Sequence, residues 1–126
     1  MTIFGIGTDI VSLKRIERIK KKFKYQFYKK ILSKNEYQEI IKNNHPINFL
    51  ANRFAIKEAT SKALGTGIQQ GIFFKHIELY YDKLGKPKIN LLKNNINILN
   101  QSKIKSIHVS LTHDELYTFA VVVIET

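Results

Sequence analysis

Three charged residues in two short stretches of the chain are the strongest candidates for chemistry. Asp9 lies inside an apolar stretch and is followed by Ile10 and Val11. Glu58 precedes Lys62 by four residues, a spacing that places both side chains on the same side of a helix. Because burying an unpaired carboxylate costs several kcal/mol, Asp9 needs a partner.

These three residues allow two interpretations. In the first, Asp9 is a cap or one half of a buried ion pair, and Glu58 with Lys62 is an ordinary helical pair worth about 0.2–0.5 kcal/mol. In the second, the two carboxylates hold a hard cation such as Mg²⁺, which completes its coordination with water and phosphate oxygens. Lys62 would then neutralise the same phosphates.

The stretch from Arg53 to Gly67 is predicted to be a helix with a glycine at its end. Glu58 and Lys62 lie at the margin of its apolar face, where a purely solvated ion pair is not expected. The Gly65 region is a helix cap or a ligand-binding turn, and it lacks the spacing of a P-loop. The apolar face consists of Ala55, Ile56, Ala59 and Ala63, and the opposite, mostly polar side consists of Arg53, Lys57, Thr60, Ser61 and Leu64.

Length and composition indicate one domain over residues 1–126. The chain has no cysteine, which excludes a thiolate zinc site, a disulfide framework and a cysteine nucleophile. The first residues are too soon interrupted by Asp9 for a signal peptide, and no apolar run approaches the roughly 20 residues of a membrane span. We therefore expect a cytoplasmic protein with no membrane partner.

The formal net charge of +11 suggests an anionic partner. Nucleic acid, an anionic membrane surface, a phosphorylated ligand and an acidic protein are all compatible with it. Lysine greatly exceeds arginine, and isoleucine and asparagine are abundant, so codon bias explains part of this charge. The three arginines, which persist against that bias, are the more informative cations: Arg15, Arg18 and Arg53.

Periodicity and cap signals predict helices early in the chain and antiparallel strands late, an α+β arrangement. The late strand 117–124 is apolar on both faces, so we expect both faces to be covered, by the domain or by neighbouring subunits. The other predicted strands are 3–11, 77–81, 87–91 and 107–112. The predicted helices are one capped by Ser12 and reaching Lys20–Lys22, one capped by Ser33 with Glu36, one from Pro46 or Asn48 to Gly65, and one over 92–101.

The stretches Gly5–Val11 and Arg53–Gly67 together resemble bacterial holo-[acyl-carrier-protein] synthases, which are small 4′-phosphopantetheinyl transferases. Leu84–Pro87 and Ile107–His113 also resemble segments of this family, in the same order, so the likeness covers essentially the whole chain. The resemblance implies an α+β fold in which a long helix packs on an antiparallel sheet. It also implies homotrimers with active sites at the subunit interfaces.

The implied reaction moves 4′-phosphopantetheine from coenzyme A to a serine hydroxyl of apo acyl carrier protein. Adenosine 3′,5′-bisphosphate is released, the family depends on Mg²⁺, and the product supports fatty acid biosynthesis. By this resemblance Asp9 and Glu58 are metal ligands, and Lys62 lies beside the pyrophosphate. The general base is either Glu58 or a metal-bound water next to it, and the sequence does not choose between them.

The resemblance also assigns binding residues. The turn Gly65, Thr66 and Gly67 lets the coenzyme approach the helix end, while Arg53, Lys86, Pro87 and His108 are candidates for its phosphates and adenosine. For His108, on the polar face of its strand, plain surface exposure is the alternative. Because acyl carrier proteins are acidic, a basic first helix is a natural docking surface. It carries Lys14, Arg15, Arg18 and Lys22.

A basic nucleic-acid-binding domain is the alternative function. It would explain the net charge and the lysine clusters. It does not explain a carboxylate within an apolar strand or the position of Glu58 and Lys62. We therefore expect an enzyme and no nucleic-acid partner. A catalytically inactive relative is disfavoured because Asp9, Glu58 and Lys62 are all present.

Overall fold

The computed structural model describes residues 1–65, 74–93, 97 and 100–126, and it has the expected α+β architecture. The helix predicted over 92–101 lies largely outside the described residues. None of the described helices is both long enough and apolar enough to span a membrane. The elements are β1 (Ile3–Ser12), α1 (Leu13–Ile31), α2 (Lys34–Ile40), α3 (Pro46–Leu64), a 3₁₀ turn (Phe74–His76), β2 (Ile77–Tyr81), β3 (Pro87–Leu91), β4 (Ser106–His113) and β5 (Tyr117–Glu125).

The strands form two antiparallel sheets. The larger has the order β1-β5-β4, so the apolar late strand is central, and β2 and β3 form the predicted hairpin. One face of the larger sheet is covered by α3, and Thr118 on β5 donates a hydrogen bond to Asn52 on that helix. Every second residue of β5 points away from α3, and two of these residues, Tyr117 and Phe119, are exposed. The expectation that both faces are covered is therefore met on one side only within a single chain.

Strand β1 crosses α3 at very short range. A Cβ atom on Gly7 would lie 1.8 Å from the carbonyl oxygen of Ala59, and one on Gly5 would lie 1.9 Å from that of Ala63. Any larger residue at either position would overlap the helix backbone. The alanine row on α3 thus admits another backbone, as expected, and the glycines of β1 are the partners that the sequence interpretation did not identify.

Helix α1 begins where predicted but extends further. The Ser12 hydroxyl accepts a hydrogen bond from the backbone N–H of Arg15, which caps the helix. The helix continues past the lysine cluster to Ile31, with a kink at Lys24, where φ and ψ are 1° and −82°. It continues because its second half supplies buried side chains to the core, Phe27, Tyr28 and Ile31.

The polar side of α3 is buried, contrary to expectation. Lys57 has no exposed surface, and its ammonium lies 2.7 Å from the Glu36 carboxylate, which is also fully buried. The same ammonium donates hydrogen bonds to the carbonyl oxygens of Phe74, at 2.9 Å, and Ile77. Three acceptors therefore satisfy its three protons, which is the condition under which a lysine can be buried.

Glu36 serves both as a helix cap and as the centre of this buried polar cluster. It completes the predicted capping box of α2 by accepting from the Ser33 backbone N–H at 2.9 Å. Its second oxygen accepts from the Leu79 N–H at 3.0 Å, and the Ser33 hydroxyl donates to Glu78 at 2.6 Å. Through Glu36 and Lys57, helices α2 and α3 are bonded to the start of the hairpin.

Candidate active site

The exposed side of α3 is a narrow stripe that carries the predicted catalytic pair. From Arg53 to Leu64 every residue is buried except Phe54, Glu58 and Lys62. These three follow one another at intervals of four and therefore lie along one line of the helix surface. Because the rest of this segment is buried, Glu58 and Lys62 belong to a narrow accessible stripe of the helix and not to a broad solvated face.

Asp9 on β1 and Lys62 on α3 are in direct contact beside this stripe. The Lys62 ammonium lies 3.4 Å from Oδ1 of Asp9 and donates a 3.0 Å hydrogen bond to the carbonyl oxygen of Thr8. The Asp9 side chain is 16% exposed, whereas that of Lys62 is 53% exposed. The two stretches that the sequence singled out are therefore joined directly.

The surroundings of the two carboxylates disfavour their ionised forms. Burial raises the pKa of Glu58, and the neighbouring Asp9 carboxylate raises it further. Burial also raises the pKa of Asp9, although Lys62 acts in the opposite direction. Positive charge from Lys62 and Arg15 lowers both pKa values without cancelling the rise. A proton or a cation placed between these groups would relieve the cost of keeping them ionised.

The donor set fits a magnesium ion. Asp9 and Glu58 supply hard oxygen ligands, which Mg²⁺ prefers. Within the described ranges, no group of three or more His, Cys, Asp or Glu residues is suited to hold a metal. An ion on these two carboxylates would keep several positions for water and for phosphate oxygens, as Mg²⁺ usually does.

Arg15 also lies at the site, although the sequence assigned it to docking alone. Its guanidinium is positioned over the ring of Phe54, 5.9 Å from the centroid. It is exposed, and its charge lowers the pKa of both Asp9 and Glu58. The signal that could have revealed this was the position of Arg15 one turn after the strand that carries Asp9.

The structure places Arg53 away from the carboxylate pair. Its guanidinium lies 3.6 Å from the ring centroid of Phe49 and 3.4 Å from the Glu39 carboxylate. Only 5% of its side chain is exposed, and burial lowers its pKa. Its predicted contact with the coenzyme stays a prediction, but the arginine already has a carboxylate and an aromatic partner.

The glycine turn is described only at its start. Gly65 has a left-handed φ of 83°, and its N–H donates to the carbonyl oxygen of Lys62 at 3.0 Å, which confirms the helix cap. Left-handed backbone of this kind favours glycine. Thr66 and Gly67 lie outside the described residues.

The other predicted coenzyme residues lie elsewhere on the chain. The hairpin loop presents Lys86 and Pro87, and the Lys86 N–H donates to the Asp82 carboxylate at 2.9 Å. His108 is on β4, where its Nε2 lies 3.1 Å from Oε1 of Glu125. Within the described parts of the chain, these residues make no hydrogen bond or ion pair with Asp9 or Glu58.

The predicted docking residues lie on the exposed side of α1. Lys14, Arg18 and Lys21 line a shallow depression of about 530 Å³ together with Ser12 and Glu17. Lys22 is also exposed, and its ammonium lies 5.2 Å from the ring centroid of Phe23. This depression begins at the first turn of α1, directly after the strand that carries Asp9.

Comparison with known proteins identifies the family of the chain. A family model described as the 4′-phosphopantetheinyl transferase superfamily matches residues 5–122. The holo-[acyl-carrier-protein] synthase of Buchnera aphidicola subsp. Schizaphis graminum is 50% identical over 125 residues, which are 99% of each chain. The protein of the same name from Cronobacter sakazakii is 40% identical over 126 residues, the full length of both chains.

Solved structures match the fold closely. The holo-[acyl-carrier-protein] synthase of Neisseria meningitidis superposes with a TM-score of 0.96 at 42% identity, covering 99% of this chain and all of that one. The Helicobacter pylori enzyme in complex with coenzyme A gives 0.83 at 37% identity, covering 95% and 99%. The chain therefore belongs to the holo-[acyl-carrier-protein] synthases of the 4′-phosphopantetheinyl transferase superfamily.

Proposed function

We propose that this protein transfers 4′-phosphopantetheine from coenzyme A to a serine hydroxyl of an apo acyl carrier protein. Adenosine 3′,5′-bisphosphate is the leaving group, Mg²⁺ is required, and the reaction takes place in the cytoplasm in support of fatty acid biosynthesis. The observation that carries this proposal is the proximity of Asp9, Glu58 and Lys62 where β1 crosses α3. The names of the relatives, and the coenzyme A bound to the Helicobacter pylori enzyme, support it.

The chemistry follows from the charges of these three residues. The serine oxygen attacks the phosphorus that bears the pantetheine, and the bond to the bridging oxygen of the pyrophosphate breaks. Lys62, whose side chain is about half exposed, can bind the phosphate oxygens on which negative charge develops. Magnesium held by Asp9 and Glu58 would supply further neutralisation of that charge.

In this proposal the candidate bases for the serine proton are a metal-bound water and Glu58 itself. The pKa of Glu58 is raised by burial and by Asp9, which brings it closer to the working pH, as a general base requires. It is only partly buried, so a substrate hydroxyl can reach it. Lys62, one turn further along the same stripe, then lies beside the attacked phosphate.

The carrier protein docks on α1 in this proposal. Lys14, Arg18 and Lys22 are exposed, and Lys14 lies in the first turn of α1, directly after the end of β1. An acidic partner is attracted to such a surface over a distance comparable to the Debye length, which raises the association rate. Arg15, in the first turn of α1, lies between this docking surface and the carboxylates Asp9 and Glu58.

We infer that three copies of the chain assemble and share their active sites. The outer face of the larger sheet exposes apolar residues: Ile6 is 59% exposed, Ile10 62% and Phe119 39%. Ile10 and Phe119 are direct partners across β1 and β5, so the patch is continuous. Exposed apolar patches of this kind usually contact another protein.

The proposed assembly also explains why His108, a predicted coenzyme-binding residue, lies away from the carboxylate pair within one chain. His108 lies on β4, next to Val123 of β5, on the side of the sheet opposite α3. Glu58 lies on α3. A coenzyme bound between subunits can contact His108 of one chain and the carboxylate pair of its neighbour.

The mass of an apo acyl carrier protein, incubated with this protein, coenzyme A and Mg²⁺, tests the proposed reaction. We expect a gain of one phosphopantetheine group. The gain should be lost with a chelator and with the Glu58→Gln variant. If no carrier protein gains mass while the protein is folded and retains DNA or RNA at 150 mM salt or so, the nucleic-acid-binding alternative replaces the proposal.

A further inference from the structure

Arg15 differs from the other cations of α1 in where its side chain lies. Its guanidinium is positioned over Phe54, which stands one helical turn before Glu58 on the exposed stripe of α3. Its backbone N–H is bonded to the Ser12 hydroxyl, which fixes the first turn of α1. Arg18, about one turn further along, instead lines the shallow depression with Lys14.

Arg15 lies near both carboxylates. Its guanidinium is positioned over Phe54, one helical turn before Glu58, and its backbone follows the end of the strand that carries Asp9 by three residues. Two cations from two different helices therefore act on one pair of carboxylates. Lys62 has a direct ion pair with Asp9, whereas the exposed guanidinium of Arg15 retains donors for a ligand.

Charge balance argues that both cations are used. The pyrophosphate of coenzyme A is a diester and carries two negative charges at neutral pH. Asp9 and Glu58 with a divalent ion are neutral together, so Lys62 alone leaves one phosphate charge uncompensated. A guanidinium, which binds phosphate oxygens through two parallel hydrogen bonds, supplies the missing charge in a fitting geometry.

We propose that Arg15 binds the pyrophosphate of coenzyme A together with Lys62, in addition to any contact that it makes with the carrier protein. This inference rests on the proposed function, because it takes coenzyme A as the substrate. It makes Arg15 a substrate-binding residue whose effect is present before any carrier protein arrives.

Calorimetric titration with coenzyme A in the presence of Mg²⁺ and without carrier protein tests this assignment. The variants are Arg15→Gln, Arg15→Lys and, as a matched control from the same helix, Arg18→Gln. Dephospho-coenzyme A, which has the pyrophosphate but no 3′-phosphate, is titrated in parallel. The thermal unfolding midpoint of each variant is measured to check that the substitution has not altered the fold.

We expect Arg15→Gln to bind both ligands about ten- to a hundredfold more weakly than the unaltered protein. The affinity of Arg15→Lys should lie between those of Arg15→Gln and the unaltered protein. Arg18→Gln should bind like the unaltered protein. Unchanged binding by Arg15→Gln would limit Arg15 to carrier docking and overturn the proposal. A loss of affinity for coenzyme A but not for dephospho-coenzyme A would also overturn it, because Arg15 would then bind the 3′-phosphate. An equal loss of affinity in Arg18→Gln would overturn it as well, because the effect would then come from the general positive charge of α1.

Failure of the proposed function looks different in the same experiment. If the unaltered protein binds neither ligand, coenzyme A is not its substrate and both proposals fall. If the unaltered protein binds both ligands and Arg15→Gln binds them equally well, only the assignment of Arg15 falls.

Discussion

Lys62 and Asp9, 53 residues apart in the sequence, lie 3.4 Å apart between Nζ and Oδ1. The pair joins α3 to β1, and it can form because Gly5 and Gly7 let the strand lie directly against the helix. The geometry of the site therefore depends on residues that carry no functional group.

A methyl group at position 7 should separate β1 from α3. Gly7→Ala places a Cβ 1.8 Å from the Ala59 carbonyl oxygen, so we expect a loss of unfolding free energy of about 1–3 kcal/mol or more and a large loss of transfer activity. Denaturant unfolding measures the first and the carrier-protein mass assay the second.

The control for this variant is Gly85→Ala. Gly85 has a φ of 81° and no atom within 4 Å of an added Cβ, so alanine there causes backbone strain without overlap. Gly85→Ala should therefore lower the free energy of unfolding by less than Gly7→Ala does. An equal or larger cost than that of Gly7→Ala would contradict the close crossing of strand and helix.

The buried ion pair should show strong coupling between its partners. Lys57→Met leaves the Glu36 carboxylate buried without its cation, and we expect this to cost about 3–5 kcal/mol of unfolding free energy. Adding Glu36→Gln removes the orphaned charge and should recover part of that loss. Denaturant unfolding of both single variants and the double variant gives the coupling energy, and purely additive losses would show that the pair is not coupled.

Glu58→Gln should stabilise the metal-free protein at neutral pH while it abolishes activity. The pKa of Glu58 is raised by burial and by Asp9, so the folded state holds the Glu58 proton to higher pH than the unfolded state does. The contribution of the Glu58 carboxyl to the free energy of unfolding therefore falls as pH rises from its pKa in the unfolded state through its pKa in the folded state. The glutamine variant lacks this fall.

The test is the Tm of the unaltered protein and of Glu58→Gln in chelator, from about pH 4 to pH 8. The difference in favour of the variant should grow as pH rises. Adding Mg²⁺ should raise the Tm of the unaltered protein more than that of the variant. A variant that is less stable than the unaltered protein at neutral pH in chelator would contradict the electrostatic account.

A charge on the outer sheet face should dissociate the assembly. Ile10 is 62% exposed in one chain and lies opposite Phe119, so Ile10→Glu would bury a carboxylate at the inferred interface. Sedimentation should give three times the 14.7 kDa chain mass for the unaltered protein and the chain mass for the variant.

The matched control is Leu84→Glu, since Leu84 is 94% exposed on the hairpin loop and lies away from that face. This variant should sediment like the unaltered protein. An unaltered protein that sediments as a single chain would contradict the inferred trimer.

Local signals predicted much of the fold. The caps at Ser12, Ser33 and Gly65 begin or end helices where expected, because each satisfies backbone groups of the adjoining turn. The hairpin strands, Ile77–Tyr81 and Pro87–Leu91, have the predicted bounds. These features depend on residues a few positions apart, which a single sequence displays directly.

Long-range pairing could not be read in the same way. The helical wheel placed Lys57 on a polar and therefore solvated side, but Glu36 and two carbonyl oxygens make its burial possible. Those partners come from three other parts of the chain, and no spacing rule identifies them. The approach of Arg15 to Phe54 likewise depends on how α1 crosses α3.

The measurement that most directly tests the central claim is the rate of phosphopantetheine transfer as a function of Mg²⁺ concentration, for the unaltered protein, Asp9→Asn and Glu58→Gln. If β1 and α3 each contribute one carboxylate to a single ion, both variants should need much more Mg²⁺ and should transfer slowly even at saturation. If either variant keeps the Mg²⁺ dependence and rate of the unaltered protein, the shared site formed by Asp9 and Glu58 is wrong.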